Sequence, residues 1–225
     1  MLRPWTVAMV LVTVHFAVAQ GVSPTVVAQQ NGLKWEEAAA AILLSQVFGV
    51  DLSSILTARS EVGQPVFTMA PAIVIVSASK RDLREILALR RKGRGWGVIA
   101  HQLGVHPGAF NKRRVALTKL SDAQIEAAVW QQVLAQIFAV PPPQIIVLRQ
   151  KGLSWGDVLA ALQVAAAARM TPEAVLVVWR NAGKDWAKVR AHYGVSPDWL
   201  PPVSGMGELK PAPLGYERGK HGKKK

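Results

Sequence analysis

Four Gly-x-x-Trp tetrads mark the chain, and they constrain it more than any other feature. They are Gly32-Leu33-Lys34-Trp35, Gly93-Arg94-Gly95-Trp96, Gly152-Leu153-Ser154-Trp155 and Gly183-Lys184-Asp185-Trp186. Their glycines are separated by 61, 59 and 31 residues. That spacing points to a unit of about 30 residues, with two of the intervals holding an unmarked copy. The last three tetrads extend upstream by an apolar residue and an arginine: Leu89-Arg90, Leu148-Arg149 and Trp179-Arg180. A degenerate copy lies at Ala58-Arg59-Ser60-Glu61-Val62-Gly63, one residue longer and without its Trp.

Each residue of the motif has a reading in helix chemistry. Arg90, Arg149 and Arg180 fall in the last turn of a helix, where a cation suits the carbonyl end of the dipole. Gly93, Gly152 and Gly183 follow at the position where a left-handed residue closes the helix. Ser154 and Asp185 are N-caps of the next helix, and Ser154 with Asp157 makes a capping box. Lys34 and Gly95 are poorer caps at the same place, although Glu36 and Glu37 suit a helix start. Trp96, Trp155 and Trp186 then enter in the first turn, placed as core anchors in the angle between two helices. The three arginines are read as capping residues or as cations stacked on the tryptophans.

Other helix starts carry Ser, Thr or Asp caps, or a proline. Thr171-Pro172, Ser196-Pro197 and His106-Pro107 fit this pattern, and Pro141-Pro142-Pro143 precedes a helix over Gln144–Lys151. Ser121 opens the clearest long helix, running to about Ala139. Ser79-x-x-Asp82 opens another that ends at Gly93. The segment Val66–Val76 contains the β-branched run Ile73-Val74-Ile75-Val76, which alone would suit a strand. Its alignment opposite Val133–Phe138 predicts a buried helix instead. The expectation is an all-α fold of roughly ten helices, in tandem helix–turn–helix (helical hairpin) repeats forming an irregular bundle or a short solenoid.

The ends differ from the middle. Residues 1–19 have Arg3, an apolar run from Trp5 to Phe16 and the small-x-small pattern Ala17-Val18-Ala19. They predict a signal peptide cleaved before Gln20, and so export to a periplasmic or extracellular location. Residues 20–200 form the helical repeat domain. Residues 201–225, rich in Pro, Gly and Lys and ending in Lys223-Lys224-Lys225, read as a disordered basic tail. There is no Cys, so no disulfide staples the fold and thiolate chemistry is excluded.

Catalytic constellations are absent from the sequence, and a non-enzyme without cofactor or metal is expected. His101 and His106, five apart, do not share a helix face. The net charge of +13 favours an anionic partner. The expected function is a non-catalytic helical scaffold or adaptor that binds another macromolecule, either a protein or an anionic polymer or surface. Lys112, Arg113, Arg114, Lys223, Lys224 and Lys225 are the candidate polyanion contacts.

The stretch Trp96–Arg114, WGVIAHQLGVHPGAFNKRR, resembles the helix-turn-helix of bacterial DNA-binding and recombinase domains. Ile99-Ala100 match its first helix, Leu103-Gly104-Val105 its turn and Phe110 the packing residue of its second helix. That resemblance implies nucleic-acid binding, with the basic residues Lys112–Arg114 at the second helix in the major groove. The stretch Trp186–Trp199 keeps Gly194-Val195 but has Arg190 where the small alanine belongs.

Overall fold

The structure, a computed structural model, describes residues 21–110 and 115–202. The 1–19 leader, Lys112–Arg114 and nearly all of the 201–225 tail, including Lys223–Lys225, lie outside the described residues. Among the described residues the fold is all-helical, with eleven α-helices and no strand. In chain order they are α1 (Pro24–Asn31), α2 (Trp35–Phe48), α3 (Leu52–Val62), α4 (Val66–Ser79), α5 (Leu83–Arg91), α6 (Trp96–Gln102), α7 (Asp122–Phe138), α8 (Pro142–Gln150), α9 (Trp155–Ala168), α10 (Pro172–Asn181) and α11 (Trp186–Tyr193).

In three hairpins a short helix of 8–11 residues, α1, α3 or α8, precedes one of 14 residues, α2, α4 or α9, whereas α5 and α10 precede the shorter α6 and α11. The four long helices α2, α4, α7 and α9 pack in a closed ring, each against its neighbours, and the short helices cover the outside. The repeats therefore close into an irregular bundle rather than extending as a solenoid. Ring position explains composition. Ala38–Leu44 of α2, Met69–Ile75 of α4 and Val158–Ala165 of α9 are buried without interruption. Helices buried on all sides show no amphipathic stripe. In α7, Ile125, Val129, Val133 and Ile137 instead form one buried stripe at helical spacing.

Val66–Val76 is thus helix, as the repeat alignment requires. Pro71 sits inside α4, where it can donate no hydrogen bond to the Phe67 carbonyl. The Trp130 indole N–H of α7 donates to that carbonyl at 2.9 Å. A break in one helix becomes the attachment point of its neighbour, and the ring of Phe67 packs on Trp130 with centroids 5.0 Å apart.

Two expected helix starts are corrected. Ser79 is the last residue of α4, its hydroxyl donating to the Ile75 carbonyl, and Asp82 alone caps α5. No helix begins at Ser196-Pro197. That segment folds back across the first hairpin: the Trp35 indole N–H donates to the Pro197 carbonyl at 2.7 Å, and Asp198 accepts from the Ser23 hydroxyl and the Thr25 N–H. Pro197 and Asp198 hold the two ends of the described chain together instead of opening a new element.

Candidate functional site

Arg90 and Arg149 occupy the last turns of α5 and α8, and Gly93 and Gly152 follow with φ of 80° and 82°. In both copies the arginine does two things. Its Nη1 donates across the turn, from Arg90 to the Arg94 carbonyl at 2.9 Å and from Arg149 to the Leu153 carbonyl. Its guanidinium also lies over the following indole, 4.9 Å from the Trp96 centroid and 4.6 Å from that of Trp155. The three-residue turn is thereby clamped to the next helix, and Trp96 and Trp155 are buried where they enter the core.

The third copy departs from this. Arg180 is exposed, and the expected stacking is not found; Trp179 takes its place over Trp186, with centroids 5.3 Å apart and planes at 22°. An apolar residue large enough to stack leaves the arginine nothing to cover. Lys184 also has a positive φ of 64° after Gly183, so this turn has a different path. Trp186 remains buried, and its indole N–H donates to Asp157 of the preceding hairpin at 2.9 Å. In the degenerate copy Arg59 pairs with Glu37 at 2.9 Å, Gly63 has φ 68°, and fully buried Val66 stands where a Trp would.

The resemblance to a helix-turn-helix meets a different geometry. The first helix and the turn are present in α6 and Gly104, and Phe110 is fully buried. Among the described residues, a single 3-10 turn at Pro107–Ala109 stands at the place of the second helix, held by the His106 imidazole accepting from the Gly108 N–H. A second 3-10 turn follows at Leu117–Lys119, and among the described residues no α-helix lies between Gly104 and Asp122. The Leu117 turn packs on α6 so closely that a Cβ on Gly97 would stand 2.1 Å from the Leu117 carbonyl oxygen.

Folding brings the repeat tryptophans to a place the sequence did not announce. The N-termini of α2, α4, α9 and α11 converge on a groove of about 970 Å³, on which Trp35, Phe67, Trp155, Trp186 and Arg190 abut. Trp96 is not part of it. Four carboxylates stand at the groove, and three are already engaged: Glu37 with Arg59, Asp157 with Ser154 and Trp186, Asp185 as the cap of α11. The caps of α2 and α4, Lys34 and Pro65, supply no side-chain hydrogen bond, so both helices present uncapped positive ends.

Arg190 is the residue that sequence reasoning undervalued. It is 6% exposed. Its Nε donates to Gln163 Oε1 at 3.0 Å, its guanidinium lies 3.8 Å from the Trp35 ring centroid, and its Nη2 has no hydrogen-bond partner among the described residues. Gln163 in turn donates to the Ser196 and Trp199 carbonyls. Burial pulls the Arg190 pKa below its usual value, and the nearby charge of Glu36 works in the opposite sense. The signal was in the repeat alignment: the fourth residue after the motif position is Ala39, Ala70, Ala100 and Leu159 in the other hairpins, all fully buried.

A second, smaller hollow of about 290 Å³ lies between α7 and α8 beside Trp155. There burial pushes the Glu126 carboxyl up, partly offset by the Arg149 guanidinium and the Trp155 indole N–H. Among the described residues no group of His, Asp and Glu is placed to hold a metal ion. Nor is any single helix among the described residues long and apolar enough to cross a membrane; α9 and α10 together reach that length but meet at 113°. Comparison with family models, curated proteins and solved structures yields no match.

Proposed function

We propose that this protein is a non-catalytic scaffold or adaptor, exported to the periplasm or cell surface, that docks a protein partner in the groove at Trp35, Trp155 and Trp186. The observation that carries the reading is the convergence itself. Indoles from three separate hairpins, Trp35 half-buried and Trp155 and Trp186 buried in the wall, and two uncapped helix ends meet at one open concavity. Aromatic edges beside charged groups are the usual make-up of a protein-docking surface. Export rests on the residue pattern of positions 1–19.

The test places a photo-crosslinking residue at Lys34 or Lys184 on the groove and, as control, at Val177 on the exposed side of α10, in the full-length chain in its own cell. Capture of one defined partner from the groove positions and not from Val177 supports the reading. Equal capture from all positions would overturn it. Mass spectrometry of the mature protein beginning at Gln20 supports export, and an intact Met1 removes it.

Nucleic-acid binding is the second reading, and one observation favours it. Lys80, Arg81, Arg84, Arg90, Arg91, Lys92 and Arg94 lie on or beside α5, and Arg91 and Lys92 are exposed without an ion pair among the described residues. A DNA affinity that falls steeply with salt, and that Arg91→Ala with Lys92→Ala or Arg113→Ala with Arg114→Ala flattens, would select it.

A further inference from the structure

We infer that Arg190 is the anchor of a carboxylate-binding site in the groove, and that the group it receives is a carboxylate of the docked partner polypeptide. This deepens the docking reading and rests on it for the identity of the ligand's source, although the site's chemistry is tested separately.

Four observations converge. First, the fold does not require a cation at this position. Ala39, Ala70, Ala100 and Leu159 fill it in the other hairpins, and α6 is the informative case. Like α11, it is followed by a left-handed glycine eight residues after its tryptophan, Gly104 and Gly194 with φ of 68° and 64°. In both, the valine after the glycine donates back to the residue in question, Val105 to the Ala100 carbonyl and Val195 to the Arg190 carbonyl, each at 2.9 Å. The same helix end is built on an alanine in one hairpin and an arginine in the other.

Second, the charge is incompletely compensated. A buried guanidinium without an anion in contact carries a desolvation cost that nothing in contact fully offsets. Gln163 and the Trp35 ring offset part of that, and Nη2 remains unpaired. Third, the rest of the groove is tuned the same way. Glu37, Asp157 and Asp185 are occupied within the protein, whereas Lys34 and Arg190 form no ion pair among the described residues, and the positive ends of α2 and α4 are uncapped. Fourth, Glu36 lines the same groove as Arg190 as the remaining carboxylate. It neutralises part of the positive field and disfavours a dianion such as phosphate relative to a singly charged planar carboxylate, whose two oxygens match guanidinium geometry.

Nη2 lies beneath the surface, and the Trp35 ring lies against the same guanidinium. That makes the Trp35 indole, hydrogen-bonded to the Pro197 carbonyl, a local reporter. The experiment follows the Trp35 Nε1–H resonance of the full-length protein while sodium acetate replaces sodium chloride at constant ionic strength. Inorganic phosphate serves as comparison. Two blocked peptides, Ac-Ala-Glu-Ala-amide and Ac-Ala-Ala-Ala with a free carboxyl terminus, separate a side-chain source from a chain-end source.

A saturable shift with acetate and with one of the peptides is expected. Arg190→Lys keeps the charge and loses the planar fork, and it is expected to weaken the response by about tenfold or more. Glu36→Gln removes the competing carboxylate and is expected to strengthen it several-fold, which also keeps the test open should the lysine variant fold poorly. A response unchanged in Arg190→Lys, equal for chloride and acetate, or stronger for phosphate overturns the inference. So does a response that emerges only after Glu208→Gln and Glu217→Gln, because the protein's own carboxylates would then be the occupant. Acetate binding without crosslinked partner leaves the site and removes the adaptor; crosslinking without acetate binding does the reverse.

Discussion

The hairpin α5–α6 and the hairpin α8–α9 begin with the same turn and end differently. Both have the arginine over the indole, the left-handed glycine and a Trp-Gly pair opening the second helix. In α9 the cap is local, with Ser154 and Asp157 satisfying one another's N–H groups. In α6 the cap residue is Gly95, which has no side chain to offer. Asp122, the first residue of α7, reaches across instead, accepting from the Trp96 N–H at 2.6 Å and pairing with Arg90 at 2.6 Å. The α9 helix then runs 14 residues into the ring, whereas α6 stops after seven at Gln102. A helix start can therefore be capped by a carboxylate at a point in space, and the residue supplying it need not be a sequence neighbour.

That comparison is most sharply broken at the glycines after the two tryptophans. Gly97→Ala puts a methyl group into the Leu117 carbonyl and is expected to cost about 3 kcal/mol or more, because backbone has to move. Gly156→Ala meets Glu36 Cβ at 3.1 Å and is expected to cost about 1 kcal/mol. Urea unfolding of the two variants reads the difference, and equal losses would mean that the two hairpins are packed alike.

The caps come next. Asp122→Ala removes both the cap of α6 and the partner of Arg90, and about 2 kcal/mol is expected. Ser154→Ala leaves Asp157 in place and is expected to cost about 1 kcal/mol. A larger loss from Ser154→Ala, read as a shift of the denaturant midpoint at constant slope, would reverse the assignment of local and distant capping.

The smallest effects are pH-dependent, and they have opposite signs in two places. The Asp198 carboxyl is held below its usual value of 3.8, first by the Ser23 hydroxyl and then by Thr25. Its contribution to stability is present above the unfolded value and is lost as pH falls through the lower folded one. Glu126 is raised above 4.5 by burial. The folded state there binds the proton more tightly, so its contribution is present at low pH and is lost as pH rises through the folded value. Thermal melts from pH 2.5 to 7 are expected to show the acid-side loss diminished in Asp198→Asn and the rise-side loss diminished in Glu126→Gln. Unchanged profiles in both variants would remove these two groups from the pH dependence.

Much of the molecule was legible in the 225 residues, because its turns are made by interactions spanning only a few positions. Gly152 closing a helix, Ser154 and Asp157 opening the next and Arg149 covering Trp155 all act within a reach of a few residues, so local sequence contains the whole interaction. The helical state of Val66–Val76 was also legible, though through the repeat alignment and against the local β-branched preference. Tertiary structure decided the rest. Nothing near Gly95 in sequence reveals that Asp122 caps it, and nothing near Pro71 reveals that Trp130 takes up the carbonyl it strands. The closing of the repeats into a ring, which gathers Trp35, Trp155 and Trp186 around one groove and buries Arg190 beneath Trp35, depends on contacts between residues more than a hundred positions apart. Those contacts obey burial and hydrogen-bond satisfaction, which are properties of position in space and leave no fixed spacing along the chain.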